Sequence, residues 1–158
     1  MDSKWFLALA VGILVLRMAI TRSHGPRARK WCDRGIKALE DNAIPDAQHA
    51  FGKVVRLVPI WAPGRRLLAR AHILAGDFAA AEEHLRFASD LQPRDPDSHM
   101  DLGLFLAICP PKRSEEAIAS FAKAVELDPK LRETLAAEPR LAHLRDHDTF
   151  RHLIGEGE

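Results

Sequence analysis

Eight histidines and two cysteines are the residues of this chain best suited to chemistry. His143 and His147 stand four apart, with His152, Asp146 and Asp148 close by. On one continuous helix that spacing would set imidazoles and carboxylates on a single face fit for a metal ion. Asp146 reads instead as the start of a new helix, which puts His143 and His147 on separate segments and makes them surface histidines. Cys32 and His49 offer a nucleophile and a base, but they fall on different helices and lack a third group to orient them. No glycine-rich phosphate loop, GxSxG elbow or paired-carboxylate pattern occurs. The expectation is a non-enzyme, with no catalytic residue, metal or cofactor and no small-molecule substrate.

The bulk properties narrow the partners. A chain of 158 residues is about one domain. With 47% hydrophobic and 28% charged residues it has the composition of a folded protein. A net charge of +1 exerts no global pull on nucleic acid, so none is expected as a partner. Cys32 and Cys109 lie far apart without a CxxC pair, which fits buried thiols in a reducing compartment better than a disulfide scaffold.

The first residues differ from the rest. WFLALAVGILVL (residues 5–16) has no charged side chain, and the apolar character extends past Arg17 to Ile20. These 16 positions make about 24 Å of helix, a little short of the roughly 30 Å hydrocarbon core. Arg17 can snorkel to the headgroups and lengthen the span. A cleaved signal peptide is the competing reading, but no small-x-small site follows the run, and Ala8-x-Ala10 lies inside it. The expectation is a single-pass transmembrane anchor over residues 1–22, buried in the lipid bilayer through Trp5, Phe6, Leu7, Leu9, Val11, Ile13, Leu14, Val15 and Leu16. A basic linker at 23–27 follows. Arg22, Arg27, Arg29, Lys30 and Arg34 crowd the C-terminal side, so the positive-inside rule puts the remainder in the cytoplasm.

From Trp31 onward the apolar residues recur with helical spacing, and one pattern comes three times. An Ala, a large apolar residue four positions on, and a Pro eight further appear as Ala47/Phe51/Pro59, Ala81/Leu85/Pro93 and Ala117/Phe121/Pro129. The prolines are 34 and 36 residues apart. Gly35, Ala69 and Gly103 precede these runs as small residues where two helices cross closely. Ala47, Ala81 and Ala117 are their small counterparts, and Phe51, Leu85 and Phe121 are knobs on the same face. Each Pro stops a helix, while Asp77 and Ser114 are candidate N-caps. One such unit cannot bury its apolar face alone, so three stack into a continuous core. Beyond Pro129, Leu131, Leu135, Leu141, Leu144, Phe150 and Leu153 mark two or three short helices that cover the exposed end.

A helix-turn-helix of about 34 residues with Trp31, Gly35, Ala47, Phe51 and Pro59 at these offsets resembles the tetratricopeptide repeat. Gly76-Asp77-Phe78 is similar to the family's inter-helix turn. Ala38 replaces its usual Tyr, and the third copy carries two extra residues in Cys109-Pro-Pro-Lys-Arg-Ser114. The resemblance covers about two thirds of the chain and divides it into repeats 28–61, 62–95 and 96–131, with a cap at 132–158. Together with the anchor read from the apolar run, it implies an all-α architecture: a transmembrane helix, three helix-turn-helix units forming a solenoid, and a helical cap. It also implies a concave groove on the first helices, here Cys32, Ile36, Leu39, Arg66, Arg70, Ile73, Met100, Leu104 and Ala107. Cys32, Ile36 and Leu67 stand where the family's chaperone-binding branch has polar clamp residues, so a carboxylate clamp is not expected. An amphipathic or extended partner segment with an acid for Arg66 and Arg70 fits better.

The function these expectations imply is a membrane-anchored adaptor or assembly factor with a protein partner in its groove. The alternative is a permanent accessory subunit of a membrane complex, its anchor packed through Ala8, Ala10 and Gly12 against other transmembrane helices.

Overall fold

The computed structural model describes residues 25–156. Helix α1 runs over residues 25–40 and is followed by α2 (Ile44–Leu57), α3 (Ala62–Leu74), α4 (Phe78–Leu91), α5 (Pro96–Ile108) and α6 (Ser114–Leu127). Two further helices, α7 (Leu131–Ala137) and α8 (Asp148–Ile154), flank a 3₁₀ segment, Pro139–Asp146.

The boundaries have local causes. Helices α2, α4 and α6 stop at Leu57, Leu91 and Leu127, each two residues before Pro59, Pro93 or Pro129. Proline occupies the first turn of α2, α3 and α5, where its missing N–H costs nothing. Asp77 caps α4 by accepting from the Ala80 N–H at 3.2 Å, after Gly76 has turned the chain at φ 77°. Asp95 caps α5 by accepting from the Ser98 N–H at 3.1 Å. Ser114 differs from expectation: it is the first helical residue of α6, the cap position falls to Arg113, and no side chain caps this helix.

Packing follows the threefold pattern. Ala47, Ala81, Ala117, Phe51 and Phe121 are wholly buried and Leu85 nearly so. A Cβ added to Gly35 would lie 2.5 Å from Phe51 Cε1, and one added to Gly103 would lie 2.6 Å from Phe121 Cδ1. The glycines are small because an aromatic ring, rather than the crossing backbone, takes the space. Behind Phe121, Leu135, Leu141, Leu144, Phe150 and Ile154 from α7, the 3₁₀ segment and α8 complete the core, with the Phe121 and Phe150 rings 6.2 Å apart. The longer α5–α6 turn is tied down by Arg113. Its N–H donates to Leu106 O at 2.9 Å, and its guanidinium grips Glu82 of α4 at 2.9 and 2.7 Å.

The membrane expectation is corrected. No helix among the described residues is long and apolar enough to cross a membrane. The 14-residue helices α2, α4 and α6 reach about 21 Å against a hydrocarbon core of roughly 30 Å, and each carries several charges. The architecture of the described chain is an all-helical solenoid without a transmembrane element, and single-pass membrane placement with a cytoplasmic domain is withdrawn with that element. The anchor assigned to residues 1–22, from Trp5 to Leu16, lies outside the described residues, and no described helix supports the bilayer as a partner.

Candidate functional site

A cleft of about 530 Å³ opens between α3 and α5. Arg66, Leu67, Arg70 and Ile73 from α3 face Asp101, Leu104, Phe105 and Ile108 from α5 across it, with Leu85 of α4 also lining it. Trp61 and Pro63 close one edge and Arg140, from the 3₁₀ segment, another. Helical periodicity produces this arrangement: Arg66, Arg70 and Ile73 are spaced i, i+4, i+7 on one face of α3.

The sequence-derived groove divides into three parts. Arg66, Arg70, Ile73 and Leu104 come together in the cleft. Met100 and Ala107 turn into the main core. Cys32, Ile36 and Leu39 do not reach the cleft. Cys32 borders a second hollow of about 370 Å³ with Ala28, Val58 and Trp61, Leu39 packs against the Phe51 cluster, and Ile36 stays 43% exposed. Among the groove residues that the spacing missed are Trp61, Phe105, Ile108 and Arg140. Arg140 comes from a segment without the repeat pattern, so nothing in that pattern announces it.

The two arginines are unlike. Arg66 donates through Nε to Asp101 at 2.5 Å and through Nη1 to Asp97 at 3.3 Å and Asp95 at 3.5 Å. Burial pulls its pKa down, and the carboxylates of Asp101, Asp97 and Asp95 more than offset that, leaving it above its ordinary value. Arg70 is exposed and has no ion-pair partner among the described residues. Arg140 is held by Glu138 through two hydrogen bonds of 2.8 Å. Side-chain and backbone hydrogen bonds from Arg140 keep Glu138 ionised down to about 2. Cys109 lines the cleft as an apolar wall, its thiol pushed up by burial.

The residues considered for chemistry are not assembled. His143 sits on the 3₁₀ segment and His147 stands just before α8 without a side-chain capping bond, so they occupy separate positions, although α8 begins at Asp148 rather than at Asp146. No group of three potential ligands able to hold a metal occurs among the described residues. The Cys32 thiol is raised by burial and by Asp33, the opposite of an activated nucleophile, while His49 is exposed with its ring edge against Trp31.

No known protein-family model matches the chain, and no curated protein does. Solved structures do. The TPR domain of Arabidopsis OM64 is similar at a TM-score of 0.65 and 19% identity, covering 76% of this chain and 95% of that domain. YrrB, a TPR protein with an unusual peptide-binding site, is similar at 0.62 and 18% identity over 96% of this chain and 81% of its own. An O-GlcNAc transferase mutant from Thermobaculum terrenum is similar at 0.62 and 22% identity over 72% of this chain, which spans only 21% of that enzyme. At these identities the likeness concerns the fold alone: the described chain is a helical solenoid like that of tetratricopeptide-repeat proteins.

Proposed function

We propose that this chain is a protein–protein interaction adaptor that holds a segment of a partner protein in the α3–α5 cleft. One observation carries the reading. Arg70, without an ion-pair partner among the described residues, stands over a cleft of about 530 Å³ whose walls are mostly apolar. Such a site rewards a ligand that buries an apolar side chain against Leu67, Ile73, Leu104 and Ile108 and sets an acidic group on the guanidinium. The peptide-binding site of YrrB, on the same fold, supports this use of the scaffold. The units building the module are 28–61, 62–95 and 96–131, with 132–158 as cap. Arg70, Ile73 and Leu104 are its contact residues and Arg66 its structural rim.

Reversing both arginines is a poor test, because Arg66→Glu would also leave three carboxylates without their cation. Single changes suit better. A photo-crosslinker placed at Ile73 should capture one partner reproducibly. Leu104→Trp, which fills the cleft, and Arg70→Glu should each abolish that capture while thermal unfolding stays within a few degrees. Capture undiminished by Leu104→Trp would remove the cleft from the function.

A further inference from the structure

Resting on the reading of the cleft as a peptide groove, we infer that it binds its ligand in one direction, set by a charge gradient along its rim. Toward the N-terminal ends of α3 and α5, Arg66 is surrounded by Asp95, Asp97 and Asp101, three carboxylates for one cation. Asp95 spends part of its capacity on Ser98, accepting from its N–H at 3.1 Å and from its hydroxyl at 2.6 Å. Asp97 and Asp101 are four apart on α5, and their side chains are 63% and 36% exposed. The positive end of the α5 dipole compensates Asp97, in the first turn, but fades before Asp101 one turn later. This end of the cleft therefore keeps a surplus of negative charge that Arg66 does not cancel.

One turn further along α3, about 6 Å away, the sign reverses at Arg70. Arg140, the other cation on the wall, is matched by Glu138 and adds no net charge. The rim thus runs from acidic at Asp101, with the exposed Asp97 beside it on Arg66, to basic at Arg70, over an apolar floor. The complementary occupant is an amphipathic segment of a partner protein. Its basic residue faces Asp97 and Asp101, its acidic residue faces Arg70, and an apolar side chain between or beside them enters the cleft. The reversed segment would set like charge against like at both ends, which is how a groove with an unspecific floor acquires direction.

The test pans a displayed library of random 12-residue peptides against the full chain and, in parallel, against Leu104→Trp. Peptides enriched on the wild type alone should carry an apolar anchor with a base and an acid in fixed order. Exchanging those two charges in the best peptide should weaken its binding, read by fluorescence polarisation, at least tenfold. The variant Asp97→Lys/Arg70→Glu should bind the exchanged peptide better than the original. Equal affinity for both peptides, or enrichment without a fixed order, overturns the directional inference and leaves the groove reading standing. No enrichment beyond that on Leu104→Trp overturns the groove reading and the inference together.

Discussion

Two ionic networks bridge successive helix pairs, and they are built to different rules. Between α4 and α6, Glu82 accepts from Arg113 at 2.9 and 2.7 Å and from Arg86 at 2.9 Å, while Arg86 also reaches Glu116 at 2.7 Å. Two cations meet two anions, and hydrogen bonds from Arg113 first and Arg86 next hold the Glu82 carboxyl below its ordinary value despite partial burial. Between α3 and α5, one arginine meets three carboxylates and the next arginine meets none. A balanced network has satisfied its own valences and serves to stitch the fold. An unbalanced one leaves charge of both signs to be completed from outside, and it is the unbalanced one that borders the cleft.

Both networks depend on the packing beneath them, so the largest effect comes from removing a knob. Phe121→Ala empties a wholly buried site between Gly103 and Phe150 and should cost about 3–5 kcal/mol, seen as a large drop in thermal midpoint and loss of both bridges. Gly103→Ala acts on the same contact from the other side. Its new Cβ would lie 2.6 Å from a ring that Phe150 backs, for a cost on the order of 1–3 kcal/mol. Full stability in Gly103→Ala would mean that the Phe121 ring yields, and that the glycine is not required by packing.

Breaking either network costs less. Glu82→Gln weakens the hold on two arginines at a partly exposed site, worth about 1 kcal/mol, and should leave peptide binding in the cleft unchanged. Arg66→Gln should cost a similar 1 kcal/mol or so, because three carboxylates then face one another, and that cost should shrink as salt screens them. Arg70→Gln should move stability by no more than about 0.5 kcal/mol, since no partner is lost, yet it should impair capture. If Arg70→Gln destabilises as much as Arg66→Gln, the distinction between stitching and binding arginines fails.

That distinction marks where reading the sequence stops. The Ala/Phe/Pro spacing foretells the helix ends and the knobs, because a helical period turns separations of four into contacts within one chain segment. It also brings Arg66, Arg70, Ile73 and Leu104 to one cleft. It cannot separate Arg66 from Arg70, whose fates depend on carboxylates about 30 residues away on another helix. Nor does the spacing show that Met100 faces the core while Leu104, one turn on, faces the cleft. Side-chain direction at a helix's edge is set by the neighbours that cover it. The apolar run at residues 5–16 lies outside the described residues, and no described helix supports the anchor read from it. Length and hydropathy measure what a segment could do in a bilayer, and they are silent on where the chain resides.

The smallest expected effect sharpens the comparison from a third place, the junction of α2, α3 and α4. His84 of α4 lies 5.6 Å from the His72 ring, centroid to centroid, and its Nδ1 is 3.4 Å from Arg65 Nη1. His72 in turn contacts Asp77 at 3.1 Å and Gln48 of α2 at 3.2 Å. Burial first, then His72 and Arg65, lower the His84 pKa from the ordinary 6.5, and Glu83 and Asp77 oppose them without prevailing. A folded-state pKa below the unfolded one means that the unfolded chain takes up the proton first. The stability contributed by neutral His84 is thus whole above about pH 6.5 and is lost as pH falls from there toward the lowered value. Thermal midpoints measured at neutral and mildly acidic pH should fall further on acidification for the wild type than for His84→Gln. The other seven histidines are common to both proteins, so the difference isolates this site, apart from its coupling to His72. Equal falls would show that the carboxylates of Glu83 and Asp77 already balance the cluster, making it a closed network like that between α4 and α6.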